Sequence, residues 1–281
     1  MEQVSTFRTK EIGGEPYIIY PELLPYQGKM FLAAPEKHNK SFFLLGMAAN
    51  LASQQNLWGV PQFSIKHRFK VAYFDQELGE RRLQKRLNAL LDAYGTDGVR
   101  DSLFFVQPRN RDYRLDNQAG LKLVEEAIYA SGAQVALFDP ISKFYSSYDE
   151  NDTRTMGTLV YNLDTLIQKT NCALVFAHHL AKPSAVARRG PQKMRGSTQL
   201  GNDADSYVEL NRLSPEFHKN QDMELIFTTR DEPIPPLYVK RRESGLIEFI
   251  GYDNPKKKAA EARWHHEEQG KEDTSYASIK T

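Results

Sequence analysis

Between residue 30 and about residue 180 one phrase recurs: a short unbroken apolar run, a polar residue or two at its end, then a helical pattern. The runs are Met30-Phe31-Leu32-Ala33, Lys70-Val71-Ala72-Tyr73-Phe74-Asp75, Leu103-Phe104-Phe105-Val106, Gln134-Val135-Ala136-Leu137-Phe138-Asp139 and Ala173-Leu174-Val175-Phe176-Ala177. Half-exposed strands alternate apolar and polar residues, whereas continuous runs of this length belong to strands buried on both faces. Between them, Leu44, Leu45, Ala48, Leu51 and Ala52 share one helical face, as do Leu83, Leu87, Leu90 and Leu91, and Leu121, Val124, Ala127 and Ile128. Strand and helix in alternation imply right-handed βαβ units. The expected class is therefore α/β: a doubly wound, mostly parallel central sheet. At 281 residues the chain is long enough for one large domain of this kind. Such sheets bind ligands at the carboxyl ends of their strands. That rule gathers Asn39-Lys40-Ser41, Asp75-Gln76-Glu77, Asp139 and His178-His179 along one edge.

The first of these junctions, Ala34-Pro35-Glu36-Lys37-His38-Asn39-Lys40-Ser41 followed by Phe42, has the length and ending of the phosphate-binding loop G-x-x-x-x-G-K-[ST]. In such a loop, backbone N–H groups and a helix N-terminus surround phosphates. Lys40 is then the residue that reaches the β- and γ-phosphates of ATP, and the Ser41 hydroxyl coordinates Mg²⁺. Ala34 and Asn39 stand where the pattern has glycine. Asn visits positive φ more readily than most residues, so Asn39 is a tolerable replacement.

Asp139 ends an apolar strand, where a carboxylate can hold Mg²⁺ beside the loop serine; the plainer alternative is a carboxylate capping the next element. Glu77 ends the neighbouring strand and is the expected base that orients and deprotonates water, with Asp75 the competing carboxylate on the same side. His178 or His179 can hydrogen-bond a γ-phosphate, or simply form a satisfied polar pair.

Residues 1–29, broken by Gly13-Gly14, Pro16, Pro21 and Pro25, are expected to pack as a lead-in on the core. Their Tyr17, Tyr20 and Tyr26 either cover a base or pack against the domain edge. Residues 182–195 are long, polar and basic, and carry Lys182, Arg188, Arg189, Lys193 and Arg195. Such a loop suits backbone phosphates, although it has no aromatic residue to stack on bases. A solvated basic loop is the competing account. Three β-rich segments follow, the last turning at Glu243-Ser244-Gly245, and residues 255–281 form a charged tail expected to be disordered. Net charge is +1, so no global field draws the chain to nucleic acid. The single cysteine, Cys172, excludes a disulfide framework, and the cytoplasm is the expected compartment. No apolar run approaches the roughly 18 residues of a membrane helix, so no membrane partner is expected.

Residues 34–41, 73–87, 135–140 and 175–180, taken in order, resemble the RecA-like ATPases, and within them the plasmid RepA-type and DnaB-type hexameric replicative helicases. Residues 193–205 resemble that family's loop and helix after its histidine strand. Thr228-Thr229-Arg230-Asp231-Glu232-Pro233 resembles its Lys-x-Arg-Asn-Gly-Pro segment, with Thr228 in place of the lysine. The resemblance implies a RecA-like domain over residues 30–254 that binds and hydrolyses ATP with Mg²⁺ and acts on single-stranded DNA as a homo-oligomeric ring, such as a hexamer. It assigns Lys40 and Ser41 to the phosphate loop, Asp139 to the metal, Glu77 to catalysis, His179 to the end of the central strand, and Arg230 to the neighbouring subunit's γ-phosphate. It turns the residue 182–195 loop toward a central channel. A recombination ATPase, or a nucleotide-binding scaffold with impaired hydrolysis, remain the rival readings.

Overall fold

The computed structural model describes residues 16–94, 99–107, 112–146, 153–180, 198–214 and 221–255. A small antiparallel pair, β1 (Tyr17–Ile19) and β2 (Leu24–Pro25), precedes the main sheet. The chain then runs β3 (Lys29–Ala34), α1 (Lys40–Ser53), β4 (Val71–Asp75), α2 (Glu80–Tyr94), β5 (Leu103–Val106), α3 (Gln118–Ser131), β6 (Val135–Asp139), α4 (Thr153–Thr170) and β7 (Ala173–His179). A short helix α5 (Thr198–Asn202) leads into β8 (Ser206–Arg212), β9 (Asp222–Thr229), β10 (Leu237–Arg241) and β11 (Ile247–Gly251). These strands make a 9-stranded sheet in the order β11-β10-β9-β8-β3-β7-β6-β4-β5. From β5 to β8 every pairing is parallel; β9, β10 and β11 then add on antiparallel. The β-rich C-terminal segments therefore extend the same sheet.

The apolar runs are buried on both faces, and strand alternation divides their side chains between two cores. Met30, Leu32, Val71, Tyr73, Val135, Leu137, Ala173 and Val175 face one core, with Leu44, Ala48 and Leu51 of α1 and Leu83 and Leu90 of α2. Phe31, Ala72, Phe74, Ala136, Phe138, Leu174 and Phe176 face the other, with Leu121, Val124 and Ile128 of α3 and Leu159, Leu163 and Leu166 of α4. Ile18, Ile19, Leu23 and Leu24 of the lead-in join the α1-side core.

An aromatic ladder crosses the middle of the sheet on the α3–α4 side. Phe31 and Phe176 have ring centroids 5.0 Å apart, Phe176 and Phe138 5.2 Å, and Phe138 and Phe74 4.7 Å. These rings belong to directly paired residues of β3, β7, β6 and β4. Each such pair contributes about 0.5–1.5 kcal/mol beyond its buried area, and a slip of one residue would turn every ring to the other face. The ladder thus fixes the register that sets Asp75 opposite Asp139 and Ala34 opposite His179 at the carboxyl edge.

Candidate functional site

Between β3 and α1 the chain turns through residues 35–39 without a glycine. Ala34 is the last residue of β3, so at this position the strand itself continues and a Cβ is no obstacle. The left-handed residues are Lys37, at φ 61°, and Asn39, at φ 66°. Asn39 is the N-cap of α1, and its side chain makes no capping bond to the helix. His38 Nδ1 lies 2.8 Å from the Glu36 carbonyl, and the His38 N–H donates to the Pro35 carbonyl at 3.3 Å, closing the loop on itself. The Lys40 ammonium folds back over the loop and donates to the carbonyls of Ala34, at 3.0 Å, and Pro35, at 2.9 Å. Burial lowers the Lys40 pKa to about 8, against the opposing pull of Asp139, Glu77 and Glu36. Burial also lowers the pKa of His38, to which Arg212 and Lys40 add.

Asp139 is fully buried at the end of β6. The Tyr73 hydroxyl, projecting from β4 on the α1 side, donates to Asp139 Oδ2 at 2.8 Å. Burial raises the Asp139 carboxyl to about 6; Tyr73 and the neighbouring Ser41 hydroxyl oppose the rise, and Glu77 and Asp75 add to it. Burial and the Asp139 carboxylate in turn push the Tyr73 phenol well up. Asp139 Oδ1 is buried and makes no hydrogen bond among the described residues. A buried carboxylate atom left unpaired is unfavourable, and a cation or a ligand donor would satisfy it.

Of the two carboxylates after β4, Asp75 is committed to the local turn. Its Oδ1 accepts the N–H of Leu78 at 3.0 Å and of Glu77 at 3.2 Å, and Gln107 Nε2 lies 3.4 Å from Oδ2. Glu77 is exposed and close enough to Asp139 and Lys40 to perturb both. At the end of β7, His179 lies level with Ala34, and the Leu180 N–H donates to the Ala34 carbonyl at 3.1 Å. His178 is buried, with Nδ1 2.7 Å from the His179 carbonyl. The structure therefore brings Lys40, Ser41, Glu77, Asp139 and His179 to one edge.

Arg230 is not at that edge. It follows β9, whose Thr229 pairs with Ser206 at the start of β8. There Arg230 Nε meets Asp205 Oδ1 at 3.0 Å, and its guanidinium donates to the Asp203 carbonyl at 3.2 Å. Lys29 shares the same carboxylates: its N–H donates to Asp205 at 2.8 Å, and its buried ammonium meets Asp164 at 2.6 Å and Asp203. This is the amino end of β3, a strand of 6 residues, about 20 Å from the phosphate loop at ~3.3 Å per residue. Tyr17, Tyr20 and Tyr26 also lie toward this opposite edge, because the separate β1–β2 pair leads directly into the amino end of β3 at Lys29. They are thus remote from this chain's own loop. Lys182, Arg188, Arg189, Lys193 and Arg195 lie outside the described residues.

Three features were not read from the sequence. Tyr73 could have been, since strand alternation turns it to the α1 face with Asp75. Glu209 is buried in β8 opposite Ala33, one residue short of the loop, and lies inside an otherwise unremarkable strand. Phe42 is flanked by two guanidiniums, Arg86 at 4.4 Å and Arg241 at 4.6 Å from its ring centre. Arg86 looks like one more charge on the solvated face of α2, and only the packing of the β10–β11 hairpin against α1 reveals otherwise.

Among solved structures, the fold is similar to the crystal structure of a KaiC-like protein from the hyperthermophilic archaeon Pyrococcus horikoshii OT3. The TM-score is 0.52 and the identity 11%, over 80% of this chain and 90% of that one, which is a likeness of fold. The fold is RecA-like, of the P-loop ATPase type. A family model described as an AAA domain matches residues 11–185, a stretch that takes in the phosphate loop, Glu77, Asp139 and His179. The chain therefore belongs to the AAA domain family.

Proposed function

We propose that the protein binds and hydrolyses ATP and couples turnover to single-stranded DNA, as a ring-forming motor of the plasmid or phage replicative helicase type. The observation that carries the nucleotide half is Asp139 Oδ1, buried without a hydrogen bond where Lys40, Ser41 and Glu77 converge. Such an atom fits a divalent cation, and Ser41 and Asp139 are the residues that would hold Mg²⁺. When bound, the ion supplies positive charge against the phosphate oxygens. The N–H groups of the loop and of the first turn of α1, which no side chain caps, suit phosphate oxygens. Lys40 exchanges its loop carbonyls for the β- and γ-phosphates. Glu77 orients the attacking water and takes its proton. His179 hydrogen-bonds the γ-phosphate.

The ring rests on Arg230. At the edge opposite its own loop it can serve only another subunit's site, and an arginine supplied in trans stabilises the charge of phosphoryl transfer. The DNA half rests on the basic residues Lys182, Arg188, Arg189, Lys193 and Arg195. ATP turnover measured with and without single-stranded DNA, together with unwinding of a forked duplex, tests the whole reading. DNA-stimulated turnover with unwinding is expected. Stimulation without unwinding indicates a recombination ATPase, and ATP held without turnover indicates a nucleotide-binding scaffold.

A further inference from the structure

Arg230 is held more firmly than an exposed arginine needs to be. Its side chain is 55% exposed, yet two different groups engage its guanidinium: Nε meets Asp205 Oδ1 at 3.0 Å, and Nη2 donates to the Asp203 carbonyl at 3.2 Å. Asp205 is itself fixed from the other side. Its Oδ2 accepts the Lys29 N–H at 2.8 Å, and its own N–H donates to the Lys29 carbonyl at 2.8 Å. Both oxygens of the carboxylate are therefore engaged, one by the first residue of β3 and one by the arginine. Asp203 repeats the arrangement, with its carbonyl on Arg230 and its carboxylate on the Lys29 ammonium. That ammonium is buried and also meets Asp164 of α4 at 2.6 Å. The guanidinium after β9 is thus tied to the amino end of β3, the strand whose other end leads into residues 35–39.

An exposed ion pair adds little to stability, so stability does not account for a partner anchored on both sides. What the arrangement supplies is direction. A free arginine has many rotamers, and ordering it at the moment of use costs free energy that a guanidinium already set in place does not. Nη1 makes no hydrogen bond among the described residues, so terminal donors of the fork remain for an anion, in the planar geometry that phosphate oxygens accept. We infer that Asp205, together with the Asp203 carbonyl, is a positioning residue that holds the Arg230 guanidinium in the orientation in which it meets the γ-phosphate of a nucleotide bound by the next copy of this chain. This role rests on the proposed service of Arg230 in trans and adds the residue that aims it. Asp205 touches no nucleotide and acts through Arg230.

Steady-state ATP turnover and equilibrium ATP titration of Asp205→Asn and Asp205→Ala, in the full chain, test it. Asn keeps the size of the side chain but offers one acceptor oxygen in place of two, so it cannot serve Lys29 and Arg230 together. Both variants should lose at least about tenfold in kcat, because a misplacement of about 1 Å can cost roughly 10²-fold. Their ATP affinity should stay at the parental value, since each subunit's own loop lies at the far end of β3. Mixing separates positioning from damage to the fold. Asp205→Ala mixed with Lys40→Ala should regain activity, because some interfaces then pair an intact loop with a well-held arginine. Asp205→Ala mixed with Arg230→Ala should not, because neither subunit supplies such an arginine. Weakened ATP affinity in the Asp205 variants, or no recovery in either mixture, makes the residue structural and overturns the inference. Parental kcat in both Asp205 variants with an inactive Arg230→Ala overturns the positioning role alone and leaves Arg230 in trans. A kcat above the parent's makes Asp205 a latch that withholds the arginine, and overturns it as well. Loss of subunit assembly in the Asp205 variants, read by light scattering, makes the residue a contact between copies and likewise overturns it. Full activity in Arg230→Ala removes the trans arginine itself, and the role of Asp205 with it.

Discussion

Lys40 is buried against its own loop, donating to the Ala34 and Pro35 carbonyls, and the proposed function sets a triphosphate in their place. Lys40→Ala should abolish ATP binding or turnover while leaving circular dichroism and thermal unfolding close to the parent; parental nucleotide affinity would remove the phosphate-loop assignment. Asn39 occupies the left-handed region at φ 66°, so Asn39→Gly relieves a backbone preference that glycine does not have. It should keep or improve ATP affinity by equilibrium titration, and a large loss would mean that the Asn side chain itself contacts the ligand. The two carboxylates after β4 separate by their partners. Glu77→Gln should retain ATP yet slow hydrolysis by at least about 10²-fold, the usual size of a lost general base. Asp75→Asn keeps an oxygen to accept the Glu77 and Leu78 N–H groups and should remain active. Normal hydrolysis in Glu77→Gln with an inactive Asp75→Asn would reverse the two roles.

Between elements, the site depends on a contact made far along the chain. The β10–β11 hairpin turns at Gly245, at φ +93°, where an added Cβ would stand 3.0 Å from Phe42 Cδ1. Phe42 immediately follows Ser41, and its ring is held between Arg86 of α2 and Arg241 of β10. Cation–π contacts of this kind contribute about 0.5–2 kcal/mol each, and here they also keep two guanidiniums together against their mutual repulsion. Gly245→Ala should therefore destabilise the protein by about 1–2 kcal/mol, the penalty of the left-handed region for a residue with a Cβ. Urea titration measures it. Stability equal to the parent would show that the turn is not held against Phe42.

At the scale of the molecule, the sheet separates Arg230 from its own phosphate loop by the length of β3. If Arg230 serves a neighbour, an isolated subunit is nearly inactive, because a trans arginine contributes roughly 10³–10⁵ to turnover in phosphoryl transfer. Arg230→Ala and Lys40→Ala should each be inactive alone, and mixing them should restore part of the activity at interfaces that pair an intact loop with an intact arginine. Steady-state ATP turnover of the mixture measures this. The competing account is that Arg230 is a surface partner of Asp205, an exposed pair worth at most about 1 kcal/mol. In that case Arg230→Ala alone keeps its activity, and the main argument for a shared site goes with it.

The alternation of continuous apolar runs with amphipathic helices was sufficient by itself to specify a parallel sheet covered on both sides. It also indicated which strand ends gather at one edge, because burial on both faces leaves a strand no other environment. The placement of residues 34–41, Asp139 and Glu77 at the ends of strands was legible for the same reason: each is a local pattern at a strand end. Sequence could not distinguish Asp75 from Glu77, since both stand on the same side; the N–H groups of the turn that engage Asp75 exist only in the folded backbone. Ala34 looked like a defect in the loop until the strand was seen to continue through it. The Arg86–Phe42–Arg241 stack, Glu209 beside β3 and the opposite placement of Arg230 are contacts between segments more than twenty residues apart. Such contacts are set by strand order and register, and no local pattern encodes those.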